Sequence, residues 1–179
     1  MSDHAVYFYE EDVFLVDHVV DFVKRGLDRQ ETVIVVATEE HRIDLKARLI
    51  ADNVIGLSSP GDARYLTLDA ASTLSLFLLD DWPDERLFLK VMGQIIASSA
   101  QRNPVRIYGE MVAVLWAQGK HRAAIRLEEL WNELAQQREF SLLCGYPAST
   151  FGQRDQAAAF EEVCACHSQI TGRQHVSLE

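Results

Sequence analysis

Three adjacent acids, Glu10, Glu11 and Asp12, fill the turn between an apolar run, His4 to Tyr9, and a helical pattern that begins at Asp12. A second apolar run, Thr32 to Ala37, follows that helix. Strand, short turn, helix, strand is how a nucleotide-binding α/β domain begins. Phosphate chemistry at such a turn needs bare backbone N–H groups and a cation, which glycines and a lysine normally supply. This turn carries neither, so a phosphate placed there would meet like charge. The element order is that of a nucleotide-hydrolysing enzyme and the side chains are not.

Ligands of open parallel sheets bind beyond the carboxyl ends of the strands. That rule gathers Tyr9, Glu10, Thr38, Glu39, Glu40, His41, Arg42, Asp69, Gly109, Glu110 and Tyr146, with Trp116 a candidate for lining a cavity. The set is aromatic and acidic together and suits a small polar or cationic ligand with an apolar part. For Glu10, Glu11 and Asp12 a helix N-terminus, where the dipole favours acids, is the simpler role. His41 and Arg42 read equally as anion contacts or as a solvated helical face. Glu110 follows an apolar strand and precedes an apolar helix, so its carboxylate needs a donor. Arg126 and Arg42 are the partners expected for it.

Cys164, Cys166 and His167 invite a metal reading, but on a helix Cys166 points away from the other two. Cys144 alone could add a thiolate and reads as a small core residue. No four-ligand zinc site is expected, nor any cofactor. No Ser-His-Asp or Cys-His order marks a catalytic residue. Trp82, Trp116 and Trp131 read first as core or interface anchors.

The elements that must position these residues alternate strand and helix. The first helix, Asp12 to Gly26, turns Leu15, Val16, Val19, Phe22 and Val23 inward, with Gly26 as its C-terminal cap. Thr32 to Thr38 reads as a strand covered on both faces. Glu39 to Asn53 reads as a helix with Ile43, Ala47 and Ile50 inward. A turn containing Gly56, Pro60 and Gly61 leads to a short strand, Arg64 to Leu68. A helix from Ser72 or Thr73 to Leu79 follows. Pro83 fits the first turn of the next helix, which ends near Gln101. Pro104 to Tyr108 is a strand, Glu110 to Ala117 a buried helix, and His121 to Arg138 an amphipathic one. Phe140 to Cys144 is the last strand, broken by Gly145-Tyr146-Pro147. A helix from about Gln153 to Gln169 closes the chain. About five strands separated by helices predict a three-layer αβα fold around a mostly parallel sheet.

At 179 residues, 48% apolar and 25% charged, the chain suits one globular domain. Its 27 acids against 17 bases leave a net charge of −10, which disfavours nucleic acid and anionic membranes. There is no long apolar span and no secretory pattern, and three cysteines do not suggest a disulfide framework. A cytoplasmic location is expected.

His4-Ala-Val-Tyr-Phe-Tyr-Glu-Glu-Asp12, Val33-Ile-Val-Val-Ala-Thr-Glu-Glu-His-Arg42, Tyr108-Gly-Glu-Met-Val112 and Ala124-Ile-Arg-Leu-Glu-Glu-Leu-Trp-Asn132 resemble the MEDS family, the sensory domains of methanogen and methylotroph signalling proteins. The resemblance covers residues 4 to 169 as a single domain and leaves 170–179 as a tail. It implies a degenerate RecA/KaiC-type core lacking a phosphate-binding loop, with strand order 3-2-4-5-1. It also implies a non-catalytic sensor of small molecules, hydrocarbon derivatives among them. Such a sensor is associated with histidine kinases and transcription regulators and forms homo-oligomers. The rival expectations are a divergent ATPase using Glu39 or Glu40, and a protein-interaction scaffold.

Overall fold

The computed structural model describes residues 3–56, 64–101, 103–151 and 157–172. Its six-stranded sheet is parallel in every pairing. The strands are β1 (His4–Tyr9), β2 (Thr32–Ala37), β3 (Tyr65–Asp69), β6 (Val105–Gly109), β7 (Ser141–Pro147) and β8 (Gln169–Gly172). They lie in the order β3-β2-β6-β7-β1-β8, which for the five expected strands is 3-2-4-5-1, with β8 added at the edge beside β1. Every residue of β2 is buried, as its unbroken apolar run requires when both faces are covered.

Two helices cover one face, α1 (Asp12–Asp28) and α2 (Glu39–Ala51). Their core joins Leu15, Val19, Val23, Leu45 and Leu49 to Val33, Val35, Tyr108 and Leu143 of the sheet. The other face carries α3 (Ala70–Ser75), α4 (Glu85–Ser99), α5 (Met111–Ala117), α6 (His121–Gln137) and α7 (Ala157–Ala165). There Phe88, Met92, Leu127, Trp131 and Leu134 pack against Val6, Phe8, Ile34, Ile107 and Leu142. Alternate residues of each strand enter opposite cores, which is the three-layer αβα arrangement.

Several local expectations are corrected. Gly26 does not cap α1, which runs on to Asp28. A Cβ there would come within 2.6 Å of Val33 Cγ2, so this glycine lets the helix cross β2 closely. On α2 the inward residues are His41, Leu45 and Leu49, while Ile43 is 62% exposed and Ala47 is exposed. The two sets lie on different sides of the helix, and burying Leu45 and Leu49 also brings His41 to a partner described below. Thr38 is not in β2 but caps α2, accepting from the His41 N–H.

The helix expected to reach Leu79 stops at Ser75, and Asp69 caps its start. Leu78–Leu79 (β4) and Trp82–Pro83 (β5) instead form a hairpin, with Asp80 and Asp81 at φ 49° and 65°. Two positive φ values are what a tight two-residue turn between twisted strands demands. Pro83 therefore lies in β5 and Asp84 caps α4, accepting from Leu87 N at 2.8 Å. Pro60 and Gly61 lie outside the described residues.

Gly145-Tyr146-Pro147 does not break β7, which pairs with β1 through Tyr9↔Pro147. The closing helix is shorter than expected: α7 stops at Ala165, and its expected start, Gln153, lies outside the described residues. The chain then adds β8 against Ala5–Phe8, carrying the sheet past residue 169.

Candidate functional site

The turn from β1 to α1 consists of Glu10 and Glu11 alone, and Glu11 is the N-cap of α1. Asp12 lies in the first turn, where its charge faces the positive end of the helix dipole. Glu10 and Glu39 are exposed.

The centre of the strand-end region is Glu110, 2% exposed, at the junction of β6 and α5. Its Oε2 accepts from the Thr38 backbone N–H at 2.8 Å. Its Oε1 accepts from the Tyr108 hydroxyl at 2.7 Å and from His41 Nδ1 at 2.7 Å. The Glu110 N–H in turn donates to the Val36 carbonyl at 2.9 Å. One carboxylate thus ties the end of β6 to the cap and first turn of α2. The expected arginine partners are elsewhere: Arg42 pairs with Asp69 at 3.2 Å, and Arg126 with Glu85, Glu129 and Glu133.

His41 bridges two acids, since its Nε2 lies 3.5 Å from Asp12 Oδ1. Its pKa is raised, first by the hydrogen bond to Glu110 and then by the charges of Glu110 and Asp12, against the opposing effect of burial. Tyr9, 6% exposed, meets the His41 ring edge-on at 6.4 Å. Burial, Glu110 and Asp12 together push the Tyr9 phenol up, and burial with Glu110 does the same to Tyr108. Gly145 makes this arrangement possible, because a Cβ there would stand 2.7 Å from the Tyr108 hydroxyl.

The sheet divides the expected set. Tyr9, Thr38, His41 and Glu110 converge on the face of α1 and α2, with Arg42 and Asp69 beside them. Asp69 also caps α3, and its carboxyl is held below the usual range by the Ser72 N–H first and by Arg42 after it. Trp116 and Tyr146 belong to the opposite face. Trp116 stacks on His121 at 4.5 Å and meets Tyr146 edge-on at 5.9 Å and Phe151 at 4.9 Å. Trp82 is 47% exposed in the hairpin, whereas Trp131 is core. A surface hollow of about 340 Å³ lies away from the strand-end acids, between the hairpin and the α5–α6 turn, lined by Trp82, Lys120 and His121 among others.

A second polar group, unforeseen from the sequence, lies beneath α6. Glu128 is fully buried there and accepts from the Tyr146 hydroxyl at 2.9 Å, with His4, Cys144 and His167 around it. Cys144 is therefore not only a core filler. Cys164 and Cys166 stand apart and half-buried, with the Cys166 thiol pushed up to about 11 by burial first and Glu128 after it. Glu128 and His4 left one signal in the sequence, a polar residue on an otherwise apolar face.

A parallel αβα domain with buried polar ties at its strand ends is the class of protein defined here. The family model for MEDS, the MEthanogen/methylotroph, DcmR Sensory domain, matches residues 3–168, and the chain belongs to this family of sensory domains. No curated protein matches it. Among the described residues no helix is long and apolar enough to cross a membrane.

Proposed function

We propose that the chain is a single, non-catalytic sensory domain that binds a small molecule at the strand ends around Glu110 and relays binding to a regulator or kinase. The observation that carries this reading is the Glu110 carboxylate, which gathers the Thr38 N–H, the Tyr108 hydroxyl and His41 from separate elements. A ligand with a polar head competes for these donors or for the carboxylate itself, and the buried Tyr9 ring beside His41 gives its tail an apolar contact once these groups part. A small hydrocarbon derivative bearing a hydroxyl, amine or similar group has that chemistry.

Relay follows from what Glu110 joins. It holds the start of α2 to the end of β6, and α5 begins directly after it. A ligand that favours the released arrangement over the closed one shifts α2 relative to the sheet. Val13, Phe14 and Ile43 are exposed on the opening turns of α1 and α2, where a partner domain would feel that shift. The two-residue acidic turn of Glu10 and Glu11 supports a ligand other than a nucleotide, because it offers no glycine-rich cradle.

A thermal-shift screen tests this with small alcohols, amines and halogenated hydrocarbons, and with ATP and magnesium as a separate arm. A ligand at 100 times its Kd adds about 2.7 kcal/mol of stability. For a chain of this size that raises Tm by about 5–10 °C. The expected result is a rise with a small organic compound that Glu110→Gln abolishes. A rise with ATP and magnesium alone would overturn the reading.

A further inference from the structure

We propose that His4, Glu128, Cys144 and His167 form a closed site for one divalent transition metal ion, best suited to zinc. The site lies on the opposite side of the sheet from Glu110 and stands independently of the strand-end reading. It joins four places in the fold: the first residue of β1, the middle of α6, the middle of β7 and the turn after α7. One ligand atom from each lies within 4.8 Å of all the others.

The hydrogen bonds around the cluster decide which atoms face inward. The Asn132 amide donates its Nδ2 hydrogen to the Cys166 carbonyl at 2.9 Å, which turns Oδ1 toward His4 Nδ1 at 3.0 Å. His4 Nδ1 therefore carries a proton, which leaves Nε2 as the nitrogen that faces Glu128 and Cys144 and is free to bind a metal once it gives up any proton of its own. His167 Nδ1 donates to the Val163 carbonyl at 2.7 Å, so its Nε2 presents a lone pair toward the cluster. Imidazoles held by a carbonyl oxygen at one nitrogen and turned toward the cluster with the other are oriented as metal ligands. The His167 side chain is fully buried, and among the described residues its Nε2 has no hydrogen-bond partner although Glu128 Oε1 is 3.4 Å away.

Without a cation, a second proton on His4 serves Glu128 Oε2, whereas the His167 Nε2 lone pair faces Glu128 Oε1 unpartnered among the described residues, which burial makes costly. Three of the separations, those among His4, Glu128 and Cys144, match a coordination shell. His4 Nε2 lies 3.3 Å from Glu128 Oε2 and 3.4 Å from Cys144 Sγ, and Sγ lies 3.5 Å from Oε2. A tetrahedral zinc ion bound at about 2.0 Å by nitrogen or oxygen and about 2.3 Å by sulfur separates its ligands by roughly 3.3–3.5 Å. A thiolate and a carboxylate balance a dication, and thiolate with imidazole selects zinc over magnesium or calcium. Binding releases the thiol proton, and any proton on His4 Nε2, to solvent. Four protein ligands leave no open position, so the ion acts as a staple. It fixes the turn leading into β8 against β1, where Ser168 already exchanges hydrogen bonds with His4.

The test is cobalt titration of the full chain, reduced and stripped with chelator, followed by zinc competition and melting. The expected result is one cobalt per chain, a thiolate-to-cobalt charge-transfer band, tetrahedral d–d bands and a higher Tm with zinc. Cys144→Ser removes the charge-transfer band, and the double variant Cys164→Ser, Cys166→Ser keeps it. Asn132→Ala keeps the band but weakens binding by about 10- to 100-fold, as loss of an outer-shell partner does. The wild-type and double-variant spectra decide the question even if Cys144→Ser does not fold. The proposal is overturned if saturating cobalt gives no charge-transfer band, if the band survives in Cys144→Ser, or if it disappears in the double variant.

Discussion

His41 and Glu110, 69 positions apart in the chain, share a 2.7 Å hydrogen bond at the buried junction of α2 and β6. Local sequence places each at the end of a different strand. Only the sheet order, with β2 beside β6, makes them neighbours.

Glu110→Ala strips the acceptor from the Thr38 N–H, the Tyr108 hydroxyl and His41 together. Removing one partner of a buried pair costs about 3–5 kcal/mol. Urea unfolding should show a fall of that order, and Glu110→Gln, which keeps one acceptor oxygen, a smaller one.

Stability should depend on pH through His41. Its folded pKa is raised chiefly by the Glu110 hydrogen bond, so near neutrality the folded state holds a proton that the unfolded state, titrating at about 6.5, releases. The pair's contribution is complete below about pH 6.5 and is lost as pH rises through the raised value. The stability difference between wild type and His41→Asn should therefore shrink from pH 6 to pH 9. A difference that grows over this range would contradict the pairing.

Gly145→Ala should destabilise through Tyr108. The added carbon would stand 2.7 Å from the Tyr108 hydroxyl and displace it from Glu110. Overpacking of this kind costs about 1–3 kcal/mol. Adding Tyr108→Phe removes the clashing oxygen, so the double variant should lose less than the two single losses combined. Strict additivity would mean that the glycine serves another purpose.

These relationships mark what the sequence made legible. The β2 run was readable because burial on both faces leaves no polar position. Glu110 stood out as an acid between two apolar segments, and the sheet order followed from the family resemblance. The inward face of α2 is not legible in the sequence, because Ile43 and Ile50 are as apolar as Leu45 and Leu49 and apolar content alone cannot choose between two sides of the helix. Tyr108 reads as one more apolar residue of β6 until Gly145 is seen beneath it. His4 and Glu128 carry little local sign of their role, because the partners of His4 lie over a hundred residues away and those of Glu128 lie on strands that its own helix packs against. The hairpin at Asp80 and Asp81 was missed because positive φ usually selects asparagine and glycine.

Arg42 and Asp69 should separate pairing from capping. Their 3.2 Å pair is partly solvated on both sides, so Arg42→Ala should cost less than about 1 kcal/mol. Asp69→Ala also removes the cap of α3 and should cost about 1 kcal/mol more. Equal losses in thermal unfolding would mean that the cap contributes nothing.

The most direct measurement of the strand-end account is an amide NMR titration of the chain with a small organic compound that raises its melting temperature. Saturable shifts should centre on Thr38, His41 and Glu110, spread along α2, and vanish in Glu110→Gln. Shifts centred on another part of the surface, or unchanged affinity in Glu110→Gln, would contradict it.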